Sequence, residues 1–80
     1  LGVAELKQAF NEVAEPAFSA QKAYLSYETK DTIQFQRLKF SGTSQDGTQF
    51  EVASDQVRPG GDVLSAARET AQRLLARKPP

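Results

Sequence analysis

The sequence contains neither cysteine nor histidine. Without cysteine no disulfide can hold the fold, and the redox compartment leaves no trace in the chain. The two absences together exclude a thiolate nucleophile, a histidine general base and a zinc site of the usual nitrogen-and-sulfur kind. An excess of one charge is missing too. Ten basic residues balance ten acidic ones, so no bulk field draws the chain toward nucleic acid or anionic lipid. The apolar runs are far too short to span a bilayer, and no signal-peptide pattern is visible. These features predict a cytoplasmic protein with no membrane contact. The sequence opens on Leu1 rather than Met, which predicts a chain trimmed or excised from a longer one.

What is present describes a small globular domain. Eighty residues, 39% of them hydrophobic and 25% charged, predict one α+β domain over residues 1–80. A domain of this size buries only about 60% of the surface its unfolded chain exposes, so its core is small. Val3, Leu6, Phe10, Val13 and Ala17 recur at helical spacing, and Pro16 ends that helix near Ala14. Residues 15–22 read as a linker, with Phe18 tucked into the edge of the core.

The period then changes to two. Ala23, Leu25 and Tyr27 share one strand face, while Tyr24, Ser26 and Glu28 share the other. In the next strand Ile33 and Phe35 are out of phase with Leu38 and Phe40, and a β-bulge at Gln36–Arg37 would bring all four to one face. A three-residue loop at Thr29-Lys30-Asp31 would set Tyr27 opposite Ile33 and Leu25 opposite Phe35. The second turn, Gln45-Asp46-Gly47, predicts a type I turn closed by a left-handed glycine. It pairs Ser44 with Thr48, Gly42 with Phe50, Phe40 with Val52 and Leu38 with Ser54. Val63, Leu64, Ala67, Ala71, Leu74 and Leu75 form the stripe of a last helix, ended by Pro79 and Pro80. The expected order is α-β-β-β-α: a three-stranded antiparallel meander with two helices packed on one face. Its outer face would be polar, carrying Tyr24, Ser26, Glu28, Gln34, Arg37, Lys39, Ser41, Gln49 and Glu51.

Residues that could carry chemistry are sparse. No Gly-x-Ser-x-Gly or Ser-x-x-Lys pattern occurs, and Ser65 is followed three positions later by Arg68, a poor base. Glu12 and Glu15 read as a solvated helix face, and Asp46, Asp55 and Asp62 lack calcium-loop spacing. The stretch VRPGGDVLSAARETAQRLL offers a glycine pair before a helix, the outline of an anion cradle. Asp62 is the natural N-cap there, and its carboxylate would occupy the free amides. No cofactor or metal is expected, and enzymatic activity is not.

The stretch DVLSAAR and the element order give a point of comparison. The order resembles that of the double-stranded-RNA-binding domain, which implies duplex binding through basic residues at the start of the last helix. Here that stretch carries only Arg68, beside the acidic Asp62, and the loop at residues 29–32 lacks glycine and proline. The best basic set is Arg37, Lys39, Arg58 and Arg68, with Tyr24 as an aromatic neighbour. The leading expectation is a non-enzymatic protein-interaction module, its partner a second protein or a second copy. The sheet edges at residues 23–29 and 48–54 would do the pairing, since neither carries Lys or Pro to block it. Nucleic-acid binding stands second, disfavoured by the zero net charge.

Overall fold

The computed structural model describes residues 2–77. Its elements run α1 (Val3–Ala14), β1 (Phe18–Lys30), β2 (Ile33–Ser44), β3 (Gln49–Ala53) and α2 (Val63–Ala76). The strands form one antiparallel sheet in the order β1-β2-β3, with both helices against the same face. This is the expected α+β meander. The expected stop at Pro79 and Pro80 lies outside the described residues.

The core is an aromatic stack between helix and sheet. Phe10 of α1 stacks on Phe40 of β2 with ring centroids 4.4 Å apart, and Phe50 lies 6.0 Å from Phe10. Phe18 meets Phe50 edge-on at 5.2 Å. Leu6, Leu38, Ala67 and Ala71 close the space between the layers, all buried. The alanines let α1 and α2 approach one another closely. Thr70 is buried as well, and its hydroxyl donates to the Ala66 carbonyl at 2.7 Å, so it enters the core satisfied. Leu75, assigned to the apolar stripe from spacing, is instead exposed.

The second turn forms as its sequence predicts. Ser44 donates its amide to the Thr48 carbonyl at 2.7 Å, and Gly47 takes φ +90°. Gly42 pairs with Phe50 and Phe40 with Val52. The Ser54 amide donates to the Leu38 carbonyl at 2.8 Å, and the Ser54 hydroxyl accepts from the Leu38 amide at 2.9 Å.

The first hairpin differs from expectation in three linked ways. β1 starts at Phe18, so the expected linker shrinks to residues 15–17. The bulge lies in β1 between Ala20 and Lys22, and β2 pairs without a shift from Ile33 to Ser41. The turn is the pair Asp31-Thr32, at φ 51° and 65°, so that Lys30 pairs with Ile33 and Leu25 with Leu38. The extra residue Gln21 flips the parity of β1. Phe18 and Ala20 face the core before it; Ala23 and Leu25 do so after it. Ile33 and Phe35 therefore fall on the outer face beside Arg37 and Lys39, and Gln34 falls on the inner one. The expectation failed because it required Ile33 and Phe35 to be buried.

Length explains why they need not be. Thirteen strand residues span about 43 Å, whereas helices of 12 and 14 residues span about 18 and 21 Å. The molecule measures 42 × 28 × 17 Å, so the hairpin runs its full length. Its far half extends past the helices, and Tyr27, Thr29, Lys30, Ile33 and Gln34 are all exposed.

Candidate functional site: the free edge of the first strand

β1 is an edge strand, and its main-chain groups decide what it can bind. In an antiparallel pair, facing residues either exchange hydrogen bonds or both aim their groups away. Gln36 exchanges both of its bonds with Val57, at 2.9 and 2.7 Å. Tyr27, which faces Gln36 across the hairpin, therefore aims its amide and carbonyl outward. Leu38 is turned toward Ser54 in the same way, so its partner Leu25 also aims outward. Alternation adds Ala23 and Thr29.

The near end of this edge is already occupied. The Asn11 carboxamide on α1 accepts from the Ala20 amide at 2.7 Å and donates to the Ala20 carbonyl at 3.1 Å. One side chain thus takes the place of a neighbouring strand at Ala20. No protein group does so from Ala23 to Thr29 among the described residues. Residues 23–29 carry no lysine, as expected, but β1 runs past both ends of that stretch and so takes in Lys22 and Lys30 beside it. Beside Ala23, a groove of about 260 Å³ opens between β1 and the start of α1, walled by Val3, Ala4 and Lys7.

The other edge is better protected. β3 has only five residues, and the chain bulges out of register before Val57 rejoins β2. Arg73 on α2 reaches over to Asp55 at 2.6 Å, and this contact holds the Asp55 carboxyl below its ordinary value. The sequence makes the two edges equivalent; in the structure β3 aims outward only at Gln49, Glu51 and Ala53, and β1 offers the longer free edge.

The residues singled out for binding are scattered. Tyr24 and Lys39 face each other across β1 and β2 on the outer sheet face, with Arg37 one step along that face. Arg37 is bound to Glu28 at 3.0 Å and Lys39 to Glu51 at 3.3 Å, so both charges are locally neutralised. Arg68 lies on the helical layer, beside Glu5 and Glu12 of α1. Arg58 sits in the exposed turn before α2, its carbonyl accepting from the Gly61 amide at 2.8 Å. They form no common basic surface.

The glycine pair makes no cradle. Asp62 Oδ1 accepts from the Leu64 and Ser65 amides at 3.0 and 3.2 Å, and its Oδ2 accepts from the Ser65 hydroxyl at 2.9 Å. The Ser65 amide and hydroxyl together hold the carboxyl below its ordinary value, with a smaller contribution from the Leu64 amide. The helix start is therefore filled by its own anion. Among the described residues no group of acidic side chains is placed to hold a metal ion, and no helix is long and apolar enough to cross a membrane. No known protein family, characterised protein or solved structure matches the chain significantly.

Asn11 was missed in the sequence because it reads as one more polar residue on a helix. Its role depends on a strand nine residues away, in a stretch that reads as a linker from sequence.

Proposed function

We propose that this chain is a non-enzymatic protein-interaction module that adds an extended segment of polypeptide to the free edge of β1. One observation carries this reading: the edge is closed at Ala20 by Asn11 and bare from Ala23 to Thr29. Strand addition draws affinity from main-chain hydrogen bonds and selectivity from side chains on alternate faces. Here the alternate side chains are Tyr24, Ser26 and Glu28 outside, and Ala23, Leu25 and Tyr27 inside. Tyr27 is 57% exposed and Tyr24 47%, so apolar area is available at both faces. The neutralised Arg37 and Lys39, and the distant Arg68, weigh against a phosphate-tracking surface.

A photocrosslinking amino acid at Tyr27 tests this in extract of the native host, with Glu69 on the exposed face of α2 as the control position. The expected outcome is a discrete polypeptide adduct from position 27 and none from position 69. Equal labelling at both positions would overturn the reading. So would capture of duplex RNA that falls steeply with salt and is lost in Arg37→Ala and Lys39→Ala variants.

A further inference from the structure

The free edge also indicates what would cover it. Building on the strand-addition reading, we propose that the occupant is β1 of a second copy, antiparallel and centred on Leu25, so that two sheets join into one. The pairing must match odd residues to odd ones, because Ala23, Leu25, Tyr27 and Thr29 are those with outward groups. Centring on Leu25 satisfies that rule and sets Lys22 of each copy opposite Glu28 of the other. Both lie on the outer face and both are exposed; Glu28 already holds Arg37 and Gln56 through Oε1, which leaves Oε2 to meet Lys22. Opposite charges directly across a strand pair are favourable, and the two-fold axis makes the contact twice.

Neighbouring registers fail on the same residues. Centring on Tyr24 sets Lys22 opposite Ser26, with no charge contact, and presses Glu28 of the free stretch onto Ala20, where Asn11 holds the edge. In the Leu25 register only Lys30, beyond that stretch, reaches Ala20. Centring on Ser26 places Lys22 opposite Lys30, a like-charge contact made twice. Centring on Tyr27 brings Ala23 against the Asp31-Thr32 turn, where the strand has ended. The Leu25 register is also favourable on the inner face. It puts the large Tyr27 of one copy across from the small Ala23 of the other, beside the groove walled by Val3, Ala4 and Lys7. Leu25 meets Leu25, extending the apolar face across the join. Antiparallel geometry then supplies about six main-chain hydrogen bonds between the copies.

Sedimentation velocity over a wide concentration range, with charge reversal, tests the proposal. The wild-type mass is expected to climb from 8.8 kDa toward twice that value as concentration rises. Lys22→Glu and Glu28→Lys each create two like-charge contacts, and each should weaken association by about tenfold. Mixing the two variants restores both opposite-charge contacts, so the equimolar mixture should associate as strongly as wild type. Circular dichroism checks that each variant folds. Lys22→Glu, at an exposed position, carries the test alone if Glu28→Lys does not fold. A mass fixed at the single-chain value, or association of Lys22→Glu at wild-type strength, overturns self-pairing. If the mass stays fixed while Tyr27 still crosslinks another polypeptide, strand addition stands and only this occupant is wrong. If the mass stays fixed and no adduct forms, both proposals fail.

Discussion

At the scale of single residues, Gly42 shows how tightly the first bulge is built. A Cβ there would collide with the Ser19 carbonyl oxygen and lie 2.9 Å from the Ala20 Cα, both of them backbone atoms. No side-chain rotation can relieve that contact, so β1 and β2 must part locally. Gly42→Ala should therefore cost about 3 kcal/mol, read as a lower midpoint in urea unfolding. Unchanged stability would mean that β1 does not approach β2 so closely. Ala20, which faces Gly42, aims its main-chain groups away from β2 and needs Asn11, because a buried amide left without a partner costs about 1–3 kcal/mol. The glycine was legible in the sequence as a residue facing Phe50, but its tighter constraint was not. That constraint comes from Ser19 and Ala20, which lie in a stretch with no alternation to mark it as a strand.

At the scale of elements, the two turns show what makes a register readable. Gln45-Asp46-Gly47 could be placed because its glycine and the burial of Phe40, Phe50 and Val52 demand the same pairing. Asp31-Thr32 offers neither signal. It has no glycine, and the strand ends it joins have no covered face to reject a wrong register. The helices were readable for the first reason, a sustained apolar period, and the N-cap at Asp62 for its turn chemistry. The openness of the β1 edge could not be read, because it depends on the parity set by Gln21 and on Asn11 from another element. The first turn also has a cost of its own. Thr32 is β-branched and sits at φ 65°, in the left-handed region that suits glycine. Thr32→Gly should stabilise the fold by about 1 kcal/mol and sharpen the far hairpin, measured by thermal melting and by slower amide exchange at Lys30 and Ile33. Destabilisation instead would show that the threonine side chain has a role at the tip.

At the scale of the whole molecule, acid should weaken the fold from pH 4 downward. The Asp46 carboxyl is held at about 2, from an ordinary value of 3.8, first by the Ser44 hydroxyl and then by the Thr48 amide and hydroxyl. Asp55 and Asp62 are also held low, by Arg73 and by the start of α2. In each case the folded state binds fewer protons than the unfolded chain. The stability Asp46 contributes is therefore present above about pH 4 and is lost as pH falls toward about 2, and Asp55 and Asp62 act in the same direction. Asp46→Asn should lower stability at neutral pH and flatten that acid slope; an unchanged slope would remove Asp46 from the account. Above the acid range the same molecule divides along its long axis. The aromatic stack and the paired helices hold one end, while the far hairpin relies on two strands and a strained tip. An arm with so few buried contacts is expected to open more readily than the core, which faster amide exchange in the far hairpin would show. Anything that pairs with β1 halts that opening, so binding carries an ordering penalty that calorimetry would register as unfavourable entropy. The length of the hairpin thus sets the tempo of the surface as well as its reach.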